Sequence, residues 1–223
     1  MGEVPSFDAD VVDSCLPDDL TVVSVIRSGG QRAVYSVKLG DQIVVLKLMP
    51  IDAWDRAERE STLGQAFDHE NLARILTDPV ELEVSGTACC YFLEELVEGT
   101  SLDEIGARLS ASETVDLMAD LSSATQYLFE VHSVVHRDIK PPNIILRPDG
   151  GFTLIDPEVA RHQNLDTLTH PFAIHGPGTP GFLDPEQLNP QQGSELDSRC
   201  DQFAIGIVAF LMLTGRIPFD PSV

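Results

Sequence analysis

Three polar residues that could carry chemistry, Asp138, Lys140 and Asn143, lie close together in front of an apolar segment. Asp156 follows thirteen residues after Asn143, directly behind a second apolar segment. Carboxylate and amide oxygens suit Mg²⁺, a hard cation that usually also binds substrate phosphates. A positioned lysine can neutralise charge on a phosphoryl group. Because side chains of these types also cap ordinary loops, their spacing has to decide between the two interpretations.

The segment from His136 to Asn143, His-Arg-Asp-Ile-Lys-Pro-Pro-Asn, resembles the catalytic loop of eukaryotic-like serine/threonine protein kinases, H-R-D-x-K-x-x-N. The resemblance implies that Asp138 accepts the proton of a substrate hydroxyl. It implies that Lys140 contacts the transferring phosphate. It also implies that Asn143 and Asp156 bind the Mg²⁺ that accompanies ATP, with Mn²⁺ as an alternative metal.

Further matches lie downstream of the loop. Thr179 matches the threonine of the substrate-facing loop and completes the implied catalytic set. Asp201 matches the aspartate that holds the catalytic loop backbone in shape. Arg137 before the catalytic aspartate suggests control by phosphorylation, since arginine pairs well with phosphate. Thr167 and Thr169 are the candidate acceptors.

The expected nucleotide side lies near the start of the chain. Lys47 ends the segment Val-Val-Leu-Lys, which matches the strand motif V-A-I-K. Only three lysines are present against eleven arginines, and Lys47 and Lys140 occupy the two kinase lysine positions. Glu60 is the expected helix partner of Lys47. The implied cofactor-binding set comprises Gly29, Val34, Val45, Lys47, Glu60, Glu95, Val97 and Ile145.

The glycine-rich loop departs from the family pattern G-x-G-x-x-G-x-V. Arg27 and Arg32 replace the first and third glycines, whereas Gly29 and Val34 remain in register. A backbone that approaches phosphates closely prefers glycine. Arg32 could therefore place a guanidinium over the phosphates or block them.

Two other departures concern the family's D-F-G motif and the gatekeeper position. Pro157 replaces the aromatic residue that stacks on the helix of Glu60, and Gly64 is small where that stack expects a large residue. We therefore expect fewer side-chain contacts in this stack than in members of the family. Matching the sequence to the family's motifs places Glu94 at the gatekeeper position, and a shift of one residue would place Leu93 there.

The resemblance implies an α+β, bilobal protein-kinase-like fold, and hydrophobic periodicity and turn residues agree with its strands and helices. The expected N-lobe is a small antiparallel β-sheet plus one helix, and the expected C-lobe is mostly helical and lacks its last helices. Predicted domains are a flexible acidic lead-in at 1–18, the N-lobe at 19–97 and the C-lobe at 98–223. Predicted strands lie at about 20–25, 36–39, 42–48, 73–77 and 88–94.

Two helices are expected to matter most for positioning these residues. The first extends over about 53–67 and carries Glu60. The second begins with a capping box formed by Ser110 and Glu113 and leads to His136. Its predicted buried stripe comprises Val115, Met118, Leu121, Leu128 and Val131.

Composition narrows the classes of partner. The net charge of −22 is spread along the chain and repels nucleic acid and anionic lipid, so neither is an expected partner. The four cysteines form neither a metal-binding pattern nor a disulfide framework, which is typical of a reduced, cytoplasmic protein. No apolar run is long enough to span a membrane.

The apolar segment 203–213 is expected to lack part of its cover, because kinases continue with further helices. An excerpt of a longer protein, or a partner or second copy that covers this face, would explain the pattern.

Three functions remain open at this point. The first is a serine/threonine protein kinase that uses ATP and autophosphorylates. The second is a pseudokinase that binds or scaffolds with little turnover, which the altered glycine loop and Pro157 favour. The third is a small-molecule phosphotransferase, which the segment 178–186 and the H-R-D-x-K form of the loop disfavour.

Overall fold

The computed structural model describes residues 7–28, 32–106, 108–157, 181–182, 184 and 197–219. The chain divides into two compact units, the first comprising Met1–Phe67 and Ala73–Leu96 and the second Asp68–Leu72 and Val97–Val223. The division predicted from sequence lies between residues 97 and 98, and the second unit resumes at Val97. The assignment of Asp68–Leu72 to the second unit was not predicted.

The first unit contains a five-stranded antiparallel sheet in the order β1-β2-β3-β5-β4. Its strands are β1 (Leu20–Arg27), β2 (Ala33–Leu39), β3 (Gln42–Pro50), β4 (Val80–Val84) and β5 (Thr87–Glu95).

The predicted strand at 73–77 is wrong. That segment makes only an isolated bridge between Ile75 and Glu94, and the strand that pairs with β5 on the side away from β3 is β4. Glu81 and Glu83 alternate with apolar residues in β4, which is the period-2 pattern of a strand with one solvent-facing side.

One face of this sheet is covered by the segment that precedes it. Helix α1 (Ala9–Asp13) buries Val12 completely against a cluster that includes Tyr35 and Leu46. The Tyr35 hydroxyl donates to the Phe7 carbonyl at 3.0 Å. Residues 7–18 are therefore packed, in contrast to the flexible lead-in expected from their acidic composition, because the apolar side chains among the acids share one side.

The opposite face supports helix α2 (Trp54–Gln65), which follows a short 3₁₀ turn. Ala57 packs there with Met49, Ile75 and Phe92. A Cβ at Gly64 would lie 2.5 Å from Ile75 Cδ1. Ile75 therefore fills the space beside Gly64, which gives a packing reason for the small residue.

The second unit carries a three-stranded antiparallel sheet in the order β6-β7-β8 and three of the described helices. The strands are β6 (Thr100–Ser101), β7 (Ile144–Leu146) and β8 (Phe152–Leu154), and the helices are α3 (Leu102–Ile105), α4 (Ala111–His132) and α5 (Arg199–Thr214). The predicted capping box is confirmed, since Ser110 and Glu113 bond each other's backbone N–H.

The predicted buried stripe of α4 is wrong in part. Leu121 and Leu128 are buried, but Val115, Met118 and Val131 are 64%, 42% and 61% exposed. The buried face instead comprises Thr114, Leu117, Leu121, Ala124, Thr125 and Leu128. Because Thr114 and Thr125 also lie on this face, a pattern of apolar residues alone does not identify which side of the helix is buried. The buried Thr125 hydroxyl donates a hydrogen bond to the Leu121 carbonyl.

Helix α5 is buried along one side, where Val208 is fully enclosed, and exposes Phe210 and Leu213 on the other. In the part of the chain that the structure describes, no helix combines the length and apolar character needed to cross a membrane.

Candidate active site

The backbone of the catalytic loop is fixed from behind by the Asp201 carboxylate. Asp201 lies in the first turn of α5 and is fully enclosed; it accepts the backbone N–H of His136 at 2.8 Å and of Arg137 at 2.9 Å. Arg137 has a φ of 69°, a conformation that costs a non-glycine residue energy and needs such support. The predicted role of Asp201 is confirmed.

The His136 ring connects the loop to the segment that carries Asp156. Its Nε2 lies 3.2 Å from the Ile155 carbonyl, and its Nδ1 lies 3.4 Å from the Asp138 amide nitrogen. These contacts fit a neutral ring that donates from Nε2 and accepts at Nδ1. Burial lowers the pKa of His136, which favours this neutral form.

The three polar residues of the catalytic loop contact one another. Lys140 Nζ lies 2.7 Å from Asp138 Oδ2, and Asn143 Nδ2 donates to the same oxygen at 2.9 Å. Asn143 Nδ2 also donates to the Asp138 carbonyl at 2.9 Å. The side chains of Asp138 and Lys140 are 17% and 20% exposed, so the pair is sheltered but accessible.

The amide of Asn143 is oriented so that its oxygen points away from these bonds. Asn143 is 1% exposed, and its Oδ1 accepts no hydrogen bond from the residues that the structure describes. A buried acceptor of this kind is costly unless it gains a partner. A hard divalent cation is one such partner.

Asp156 follows β8 in a left-handed conformation with a φ of 58°. The backbone before it is tied to the catalytic loop, since Ile155 donates its N–H to the Asn143 carbonyl at 2.9 Å. The structure thus brings the segments of both predicted metal ligands together within the second unit. Two oxygen ligands from protein suit Mg²⁺ bound to a phosphate substrate, because Mg²⁺ keeps most of its positions for water and phosphate.

On the first unit, the predicted nucleotide-side residues share one face of the sheet. Val34 pairs with Lys47 and Ser36 with Val45 between β2 and β3, and alternate residues of a strand point to the same face. Val34 and Val45 are 8% and 7% exposed. These apolar side chains flank Lys47, whose side chain is 3% exposed.

The partner of Lys47 differs from the expected one. Lys47 Nζ forms an ion pair with Glu94 Oε2 at 2.5 Å, and both side chains are 3% exposed. Leu93 belongs to the core cluster on the opposite face. Of the two gatekeeper registers considered, the structure therefore places Glu94 on the face of Lys47.

Glu60 contacts Arg32 instead of Lys47. Arg32 Nη1 lies 3.1 Å from Glu60 Oε1 and Nη2 lies 3.4 Å from Oε2, and the Glu60 side chain is 2% exposed. This correction has a simple cause: the planar fork of arginine matches a carboxylate bidentately. Arg32, considered from sequence as a phosphate contact, pairs here with Glu60 of α2.

Of the remaining predicted residues, Glu95 and Val97 lie next to the unit boundary in sequence, and Ile145 lies on a strand of the second unit. Glu95 is exposed at the end of β5, and Val97 is the first residue of the following segment in the second unit. Ile145 lies on β7, where it pairs with Ser101. Gly99 has a φ of 147°, and any Cβ there would overlap the Leu146 carbonyl and the Ile145 side chain, so glycine permits this close approach.

Four of the predicted residues, Gly29, Thr167, Thr169 and Thr179, lie outside the described residues. Two residues with clear roles in the described structure were not given them from sequence: Glu94 as the partner of Lys47 and Arg32 as the partner of Glu60. The charge of Glu94 at the end of the otherwise uncharged segment 87–94 was a signal for its role.

Comparison with known proteins agrees with this geometry. The protein kinase domain family model matches residues 20–222, and the chain belongs to that family. Serine/threonine-protein kinase PrkC of Bacillus subtilis is 31% identical over 210 residues, covering 89% of this chain and 31% of PrkC.

Two further similar proteins carry related names. The probable serine/threonine-protein kinase PknB of Lactococcus lactis is 29% identical over 215 residues, covering 91% of this chain and 32% of that protein. Serine/threonine-protein kinase pkn2 of Myxococcus xanthus is 29% identical over 216 residues, covering 89% of this chain and 25% of pkn2. The chain spans about a third or less of the length of these curated relatives.

Proposed function

We propose that this chain transfers the γ-phosphate of ATP to serine or threonine hydroxyls of protein substrates. The observation that carries the proposal is the catalytic loop network, in which Asp138 contacts both Lys140 and Asn143. The names of the similar proteins, all serine/threonine kinases, support the same reaction class.

Each residue of the network has a separate task. Asp138 accepts the proton of the attacking hydroxyl, for which a carboxylate within hydrogen-bond reach is suited. Lys140, held 2.7 Å from Asp138, places a positive charge beside the phosphoryl group as it moves. Asp201 keeps the loop in this shape by holding two of its backbone N–H groups.

Asn143 and Asp156 would hold Mg²⁺, or Mn²⁺ in its place. The buried Oδ1 of Asn143 and the carboxylate of Asp156 are oxygen ligands, as a hard cation requires. When bound, the metal neutralises charge on the ATP phosphates. Lys47, on the first unit, would bind the phosphates, while Val34 and Val45 provide the apolar surface beside it.

The pseudokinase alternative is disfavoured because the Asp138 network is complete despite the altered glycine loop. Autophosphorylation at Thr167 or Thr169 stays part of the proposal, with Arg137 as the residue that would pair with the phosphate. Mass spectrometry after incubation with Mg-ATP tests it, and finding neither threonine modified would remove it.

The cytoplasm is the proposed location, because the buried thiols suit a reducing compartment. The Cys90 and Cys200 pKa values are raised to about 11 and about 12, chiefly by burial, and no disulfide joins the described cysteines. A protein partner or a second copy over the exposed Phe210 and Leu213 is a further part of the proposal, and sedimentation analysis tests it.

Transfer of labelled γ-phosphate tests the central reaction. The purified protein is incubated with Mg-ATP and a generic basic protein, beside Asp138→Asn and Lys47→Met. Label on serine or threonine that both variants lose supports the proposal. Label that persists in both variants, or no label from the wild type, would overturn it.

A further inference from the structure

The register between β3 and β5 decides which carboxylate reaches Lys47. Val45 pairs with Glu94 and Lys47 with Phe92, so these four side chains share one face of the sheet. Lys47 and Glu94 are diagonal neighbours on adjacent strands, a separation that long side chains bridge easily. Lys47 Nζ also lies 5.7 Å from the centre of the Phe92 ring.

The pair is almost completely withdrawn from water. Each side chain is 3% exposed. A buried ammonium is very costly unless a charge and hydrogen bonds compensate it. Glu94 supplies both, and because it lies on a central strand of the sheet its position relative to Lys47 is fixed by the ladder hydrogen bonds of β3 and β5.

Glu60, the carboxylate of α2 that was expected to pair with Lys47, pairs with a different cation. Both oxygens of Glu60 contact the guanidinium of Arg32, which is itself only 14% exposed. Glu94 and Glu60 are thus each paired with a buried or sheltered cation, Lys47 and Arg32 respectively. Among the described contacts of Glu60, Arg32 supplies the cation. Removing Arg32 would therefore leave the buried Glu60 carboxylate without that compensating charge.

We infer that Glu94, a residue of the sheet, positions Lys47 for ATP, while the Arg32–Glu60 pair joins α2 to the start of β2. This inference rests on the proposed use of ATP. The position of Lys47 for binding the nucleotide then depends on the contact between β3 and β5 and not on the position of α2.

Three glutamine variants test the inference. Glu94→Gln keeps the shape but removes the charge that orients Lys47, so the KM for ATP rises and kcat falls, together lowering kcat/KM by about 10²-fold. The KM for the protein substrate stays constant. Glu60→Gln changes the KM for ATP much less, because its partner is Arg32. Glu83→Gln, at an exposed position of β4, is the matched control.

The rise in KM for ATP distinguishes positioning from a merely structural role, because a partly unfolded preparation lowers kcat and leaves KM unchanged. If Glu94→Gln does not fold, Glu94→Asp keeps the charge but withdraws it by one methylene, and the same rise in KM for ATP is expected. Glu60→Gln raising the KM for ATP as much as Lys47→Met, with Glu94→Gln behaving like the control, would overturn the inference.

Calorimetric titration with Mg-ATP separates this inference from the proposed function. If the wild type transfers no phosphate but binds Mg-ATP, the proposed function fails alone. A weaker affinity of Glu94→Gln than of Glu60→Gln then still supports the role of Glu94, whereas equal affinities of Glu94→Gln and Glu83→Gln contradict it. A wild type that neither transfers nor binds would overturn both.

Discussion

Asn143 donates its side-chain amide to Asp138 twice, from Nδ2 to the main-chain oxygen and to Oδ2, each at 2.9 Å. The two bonds set the orientation of the Asn143 amide, and its Oδ1 accepts no hydrogen bond from the described residues. One residue therefore couples the orientation of the proposed base to the proposed metal site.

Asn143→Ala should weaken both functions of that amide. We expect the apparent affinity for Mg²⁺ in the transfer assay to fall by at least about 10-fold, because an oxygen ligand and the orienting bonds to Asp138 are lost together. Gln126→Ala, which removes an exposed amide of α4, is the control. An unchanged Mg²⁺ dependence would remove Asn143 from the metal site.

The neutral ring of His136 predicts a loss of stability in mild acid. Burial holds its pKa below the ordinary value of 6.5, so the unfolded chain binds a proton there before the folded chain does. Its contribution is therefore complete above 6.5 and is lost as the pH falls towards the lower folded pKa.

Urea unfolding measures this contribution between about pH 7.5 and about pH 5.5. The free energy of unfolding of the wild type should fall over this window, and that of His136→Gln should fall less, since glutamine can donate to Ile155 without titrating. Parallel pH dependences of the two proteins would show that His136 is not held neutral.

Gly99→Ala should destabilise the second unit more than a comparable change at another positive-φ glycine. A Cβ at Gly99 would overlap the Leu146 carbonyl, whereas a Cβ at Gly86, with a φ of 76°, meets no atom within 4 Å. We expect Gly86→Ala to cost about 1–2 kcal/mol from the backbone conformation alone and Gly99→Ala to cost more. Thermal unfolding of both variants compares them, and equal costs would contradict the close approach.

Val12→Ala tests whether α1 is part of the folded first unit. Val12 is fully buried, so losing two methyl groups should cost about 2 kcal/mol in the free energy of unfolding. Val23→Ala, at a position 57% exposed, should cost less than about 0.5 kcal/mol. If urea unfolding gives both variants the same small cost, α1 does not pack on the sheet.

The catalytic loop could be predicted from sequence because its chemistry is local. Asp138, Lys140 and Asn143 lie within six residues, and their mutual contacts follow from that spacing. Asp201 is remote in sequence, and its role was predicted only through the resemblance to the family's aspartate at the start of a helix. Local spacing therefore accounts for the contacts within the catalytic loop, and the resemblance accounts for Asp201.

The pairing of Lys47 with Glu94 could not be predicted in the same way. It depends on the register between β3 and β5, where a one-residue shift would bring Leu93 to the face of Lys47. The partner of Glu60 depends likewise on where Arg32 lies in three dimensions. Such long-range choices of ion pair are decided by the folded structure and not by the spacing of residues.

The most direct test of the account compares binding with turnover in one variant, Asp138→Asn. The account predicts that its affinity for Mg-ATP stays within about threefold of the wild type, while phosphate transfer to protein falls by about 10²–10⁴-fold, because the base acts only in the transfer step. Transfer at more than about a tenth of the wild-type rate would contradict the proposed role of Asp138 as the base.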